Sequence, residues 1–307
     1  MVTESITQNL KVANNSYLFE REVFMAEERS SIIISIFSTT PGIGKTVTAI
    51  NLTAALAQEG YKVCLVDLDL QFGDVLNYLR LDTERTIAKA QRTLESNVES
   101  FHIKNFLITY RKENLSFAVL APPKYLYDSY QANVATIESI VKQMTYFDFV
   151  VLDLNSAFSA LNLAMLDIST IINYIGVIDF LPAVKNFKIG YDTLIRFNYE
   201  ESKIRLIENR ADSQKLIDGH DVERLIGEKF YHRLPNDFPA VSKSINQGVP
   251  LIFSAPESRL TRSFYELTGK YTNRPVLPIS SDSQTKKGLF ARIISTTADI
   301  LFGKRKV

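Results

Sequence analysis

Ser31-Ile32-Ile33-Ile34-Ser35-Ile36-Phe37-Ser38-Thr39-Thr40-Pro41-Gly42-Ile43-Gly44-Lys45-Thr46 joins a nearly continuous apolar run to a turn that ends Gly-Lys-Thr. The run has the pattern of a strand buried on both faces, as in parallel sheets. After the turn, Val47, Ile50, Ala54 and Ala57 fall on one helical face before Gly60, which reads as a helix C′ residue. Strand, turn and helix in that order aim unpaired N–H groups and the positive end of a helix dipole at one spot, a cradle for phosphate. In such a cradle Lys45 reaches the β- and γ-phosphates and the Thr46 hydroxyl ligates Mg²⁺, while Gly42, Ile43, Gly44 and Val47 complete the contact surface. Two departures stand out. The full pattern has glycine six residues before the lysine, where this chain has Thr39, and Pro41 removes a main-chain donor, leaving Gly42 to Thr46 to do most of the cradling.

Two further apolar runs end in carboxylates. Lys62-Val63-Cys64-Leu65-Val66-Asp67-Leu68-Asp69 brings Asp67 and Asp69 to the carboxyl end of a second strand, where open α/β sheets bind ligands. Alternate strand residues share a face, so one of the pair can serve a metal and the other an attacking water. Phe147-Asp148-Phe149-Val150-Val151-Leu152-Asp153 does the same for Asp153, the place of a Walker B aspartate that holds Mg²⁺. Strands are also expected at Leu115 to Leu120, Ile171 to Ile178 and Lys203 to Ile207, and helices at Thr83 to Ser100 and Ala132 to Met144. This alternation predicts an α/β fold of three layers, a mostly parallel twisted sheet with helices on both faces.

With 307 residues, 46% of them hydrophobic, the chain can build one large domain. Its net charge of +1 is unevenly placed: Lys286 to Val307 hold six basic residues against the single Asp299, so the body before them is net negative. An acidic body of this kind is not the footprint of a general nucleic-acid binder, and no DNA partner is expected. The lone Cys64 sits in an apolar strand and suits a reducing compartment. The first residues lack the order of a secretory signal and no run is long enough to span a bilayer, so a cytoplasmic start is expected. His102, His220 and His232 are scattered without ligand spacing.

The expected domains are an N-terminal extension (1–30), the nucleotide-binding domain (31–275), a polar linker (276–287) and an amphipathic helix (288–303). In the last of these Leu289, Phe290, Ile293, Ile294, Thr297, Ile300 and Leu301 form one stripe bracketed by basic residues. Too short to cross a bilayer, such a helix suits an anionic membrane surface, and two copies in a dimer would anchor it better than one.

Asp67-Leu68-Asp69-Leu70-Gln71-Phe72-Gly73-Asp74-Val75 is similar to the switch I segment of MinD/ParA-type deviant Walker A ATPases, and within them of the CpaE/TadZ pilus-localisation branch. Leu120-Ala121-Pro122-Pro123, Asn209-Arg210, Leu234-Pro235-Asn236-Asp237 and Asn246-Gln247-Gly248-Val249-Pro250 match further pieces, and the tail resembles the membrane-targeting helix of MinD. The resemblance implies a P-loop NTPase fold of the SIMIBI type and a slow ATPase that dimerises on ATP and Mg²⁺. It also implies residence as a peripheral protein on the inner face of the membrane, where the homodimer recruits a protein partner of a pilus or secretion apparatus. Position by position it implies catalytic roles for Lys45 and Asp69, metal roles for Thr46, Asp67 and Asp153, and nucleotide contacts at Asn209, Arg210, Pro235 and Asp237. The family's signature lysine is replaced here by Thr40, which leaves a non-hydrolysing scaffold, or a MinD-like ATPase for flagellar or septum placement, as alternatives.

Overall fold

The computed structural model describes residues 30–213 and 217–273. The expected linker and amphipathic helix, and the N-terminal extension up to residue 29, lie outside the described residues. The strands are β1 (Ile32–Phe37), β2 (Val63–Asp67), β3 (Ile108–Lys112), β4 (Leu115–Leu120), β5 (Phe149–Asp153), β6 (Ile171–Gly176), β7 (Ile204–Glu208) and β8 (His232–Arg233). They form one sheet in the order β3-β4-β2-β5-β1-β6-β7-β8, parallel throughout except for the β3–β4 hairpin. The α-helices are α1 (Lys45–Gln58), α2 (Val75–Leu79), α3 (Ile87–Ser96), α4 (Leu126–Ser129), α5 (Val134–Lys142), α6 (Ala160–Ile168), α7 (Leu181–Arg196), α8 (Gly219–Ile226), α9 (Phe238–Gln247), α10 (Leu251–Ser254) and α11 (Arg259–Thr272).

The two-residue period of the strands divides the core into two halves. Ile34, Ile36, Leu65, Val151 and Ile175 face α1 and α11, whereas Phe37, Cys64, Val66, Val150 and Tyr174 face the layer that holds α5, α6 and α7. β1 lies between β5 and β6, with Ile36 opposite Asp153 and Asn173, so its exit is walled by strands on both sides.

The single apolar face expected for α1 understates its surroundings. Every residue from Thr48 to Leu56 is buried, because α10 and α11 close over the side that the sheet leaves open. Asn51 on that covered side receives the Leu251 N–H at 2.7 Å and donates to the Val47 carbonyl. The helix at Thr83 to Ser100 is shorter than expected: Thr86 pairs with Ala121 as a bridge and caps α3 at the Lys89 N–H, so the helix begins at Ile87. Likewise Asn133 caps α5 by accepting from Ala135 and Thr136.

β8 is held under α11 by His232, whose Nε2 lies 2.8 Å from the Ser263 hydroxyl and 3.0 Å from its carbonyl. Burial, helped by the charge of Lys270, pushes the imidazole down to about 4 from its ordinary 6.5. A base with a depressed folded pKa is protonated first in the unfolded chain, so stability is full above pH 6.5 and is lost as the pH falls toward 4. Urea titrations across that window should show a loss of roughly 3 kcal/mol from this group. A His232→Gln variant should have a correspondingly flatter pH slope, and an unchanged slope would show that His232 titrates normally.

Candidate phosphate-binding site

The loop between β1 and α1 leaves the carboxyl edge of the sheet at its centre, in the crevice where open α/β folds place ligands. Gly42 and Gly44 have φ of 70° and 96°, the left-handed region that a β-carbon opposes. A Cβ on Gly44 would also stand 2.8 Å from Asn209 Nδ2, whereas one on Gly42 would meet nothing within 4 Å. Gly44 is the N-cap of α1 and offers no side chain to it, and the first turn carries no acidic residue. The leading N–H groups of a 14-residue helix are thus left for an external acceptor.

The loop is braced from behind. Asn209 Nδ2 donates to the Ile43 carbonyl at 2.6 Å, and the Arg210 guanidinium donates to the Gly42 carbonyl at 3.1 Å. In a trans peptide the C=O and the next N–H point in opposite directions, so fixing these two carbonyls turns the N–H groups of Ile43 and Gly44 the other way. Asn209 Oδ1 also accepts the Arg210 N–H at 3.0 Å. Asn209 and Arg210, nucleotide contacts by the resemblance, thus also hold the phosphate loop.

Lys45 Nζ donates to the Ser156 hydroxyl at 2.5 Å. Burial lowers its pKa, while the carboxylates of Asp153 and Asp69 work against that fall. Asp153 is buried at the end of β5, directly opposite Asp67 of β2. Its carboxyl is pushed up to about 7, mainly by burial, while the hydrogen-bonded Thr46 hydroxyl and Lys45 pull the other way. One of its oxygens, Oδ1, is buried without a hydrogen-bond partner among the described residues. A buried carboxylate with a spare oxygen, next to a hydroxyl and a lysine, is the donor set that a hard divalent cation and a phosphate require.

Asp67, given a metal role by the resemblance, is tied into its own loop. Both of its oxygens accept main-chain N–H groups of its own loop, from Asp69 at 3.2 Å and Val75 at 3.1 Å. Gly73 makes this wrap possible, because a Cβ there would lie 2.5 Å from the carboxylate. Burial, reinforced by the nearby charge of Asp153, raises the Asp67 pKa. Asp69 is half-buried and its Oδ1 accepts from Phe72 N–H at 3.3 Å. Asp237 caps α9 by accepting from Ala240 and is also held by the Ser258 hydroxyl. Pro235 lines a cavity of about 350 Å³ beside the site, together with Ala211, Asp212, Arg233, Arg259, Arg262, Ser263 and Glu266. Ser156 escaped the sequence analysis because one serine beyond a strand carries no spacing signal. The bracing role of Asn209 and Arg210 escaped because it depends on a contact across the sheet.

The sequence matches the CobQ/CobB/MinD/ParA nucleotide binding domain over residues 34–251, most of the chain. The chain belongs to that family. One relative is a putative septum site-determining protein MinD of Nephroselmis olivacea, 24% identical over 274 residues that span 85% of this chain and 93% of the relative. Among solved structures, a ParA family ATPase from Chlorobium tepidum superposes with a TM-score of 0.71 at 20% identity, covering 78% of this chain and 99% of that one. The septum site-determining protein MinD of Pyrococcus horikoshii, solved with Mg-ADP, superposes with a TM-score of 0.67 at 20% identity, covering 79% and 96%. The match is to a nucleotide binding domain, and it includes the β1–α1 loop.

A buried carboxyl whose pKa is raised costs stability once it ionises, so the ligand-free protein should lose stability from Asp153 as the pH rises from the ordinary 3.8 through about 7. Asp153→Asn should therefore raise the thermal midpoint at pH 8 and have little effect at pH 4. A lower midpoint at pH 8 would mean that the charge is compensated.

Proposed function

We propose that the chain is an ATP-binding, slowly hydrolysing positioning protein of the MinD/ParA kind. It dimerises on ATP and attaches through residues 288–303 to the anionic inner face of the membrane, where it localises a partner apparatus, a Tad or type IV pilus-like secretion system. The observation that carries the nucleotide part is the uncapped start of α1 beside Lys45 and the Asp153 oxygen that has no partner among the described residues. The Mg-ADP held by the Pyrococcus protein supports the same cofactors here. The pilus part rests on the resemblance of Asp67 to Val75 to the CpaE/TadZ branch.

In this mechanism the N–H groups from Gly42 to Thr46 bind the phosphates, and Lys45 leaves Ser156 to neutralise them. Thr46 and Asp153 would hold Mg²⁺, which when bound screens the charge on the phosphate oxygens. Asp69 orients the attacking water, and Asp67 acts behind it by folding the loop that carries Asp69. The base lies toward Asn209, Arg210, Pro235 and Asp237.

A second reading, a nucleotide-binding scaffold without turnover, is favoured by Thr40 in place of a lysine that would stabilise developing phosphate charge. Steady-state phosphate release, with Asp69→Ala as the blank, separates the two. Release above the blank supports the ATPase, and equality supports the scaffold.

Lys45→Ala should abolish ATP binding in calorimetry, and an affinity equal to that of the parent would overturn the nucleotide reading. Truncation after Gly288 should leave ATP binding intact and end sedimentation with anionic vesicles. If the truncated chain still pellets, the anchor lies elsewhere.

A further inference from the structure

Thr39, which stands where the full phosphate-loop pattern has glycine, does not leave its side chain idle. Its Oγ1 lies 2.8 Å from the Tyr174 hydroxyl and donates to the Asn186 carbonyl at 3.0 Å. Tyr174 is fully buried in β6, stacks on Phe187 with ring centroids 4.7 Å apart, and donates to the Phe187 carbonyl at 3.1 Å. Asn186 and Phe187 lie inside α7, where helix carbonyls already serve the helix's own ladder. Each hydroxyl proton thus serves one α7 carbonyl, and the two hydroxyl oxygens lie against one another beside that turn of the helix.

Gly190 is what admits them. A Cβ at that position would stand 1.9 Å from the Tyr174 oxygen and 2.6 Å from Thr39 Cγ2. Gly190 has no left-handed φ to account for it, and glycine in a helix interior is less stable than alanine. Its presence is explained by the close approach of the two hydroxyls. A glycine at position 39 would leave that notch half empty, so threonine at 39, tyrosine at 174 and glycine at 190 fit as a set.

We propose that Thr39 is a positioning residue that ties the phosphate loop to α7 through Tyr174 and the Gly190 notch. This rests on the phosphate-binding reading of the loop and adds to it a mechanical link. Because loop and helix share these contacts, a nucleotide that orders the loop also orders α7, and by linkage whatever shifts α7 alters nucleotide affinity. Without the Thr39 hydroxyl the start of the loop is freer, and a ligand must supply the missing order on binding.

The test uses the full chain and Mg·ATP. Thr39→Val and Tyr174→Phe each delete one hydroxyl at nearly constant shape, and each should weaken binding about fivefold in calorimetry, the equivalent of one neutral hydrogen bond. The double variant should be weaker than either single one, because Thr39 and Tyr174 each hold an α7 carbonyl of their own. Thr39→Ser, which keeps the hydroxyl, should bind like the parent. Hydrogen exchange of the segment from Asn186 to Leu194 should slow on adding Mg·ATP in the parent but not in Thr39→Val. Parent-like affinity in both single variants, with only a lowered melting temperature, would reduce the contact to packing and overturn the proposal. If the parent binds no nucleotide, the failure lies with the phosphate-binding reading. Exchange in α7 without ligand then judges the tether by itself: faster exchange in Thr39→Val supports it and equal exchange overturns it.

Discussion

At the start of α1 a run of main-chain N–H groups has no acceptor among the described residues, and much of the surrounding structure arranges or exploits that shortage. Gly44 caps the helix without a side chain, and the first turn offers no carboxylate that would quench the dipole. Asn209 and Arg210 occupy the carbonyl side of the loop and so direct the N–H side toward the crevice. Thr39 anchors the other end of the loop to β6 and α7. A loop held at both ends and from behind loses little further entropy when an anion arrives, which is the physical content of preorganisation.

The carboxylates beside the loop are divided by what hydrogen-bonds them. Asp67 spends both oxygens on the N–H groups of Asp69 and Val75 and so shapes the segment that follows β2. Asp153, paired with it across the sheet, keeps a buried oxygen without a partner among the described residues. Two carboxyls facing one another in the core are a cost to the folded chain, one that a cation bound at Asp153 would offset.

Much of this was legible in the sequence. Strands β1, β2, β5 and β6 lie where apolar runs predict them, because parallel strands buried on both faces need no alternation, and β4 and β7 lie at the shorter runs expected for them. β3 escaped notice: Ile108–Lys112 alternates on an exposed edge, and its hairpin turn places Glu113 at a φ of 50° with no glycine to signal it. β8 is two residues long and exists only through its register with Ile207 and Glu208. Within the site, the positions of Lys45, Thr46, Asp69 and Asp153 followed from strand ends. The contacts of Ser156, Tyr174, Asn186 and Asn209 did not, since each joins segments more than 100 residues apart. Such pairings leave no periodic trace in a single chain.

The proposition beneath all of this is that the N–H groups from Gly42 to Thr46 form the seat of a polyphosphate. Hydrogen exchange at those amides in the full chain, recorded with and without Mg·ATP, addresses it residue by residue. Protection on adding the nucleotide, strongest at Gly44 to Thr46 and absent at the exposed loop near Glu113, is the outcome expected. Exchange at those amides that Mg·ATP leaves unaltered at saturating concentration would refute it.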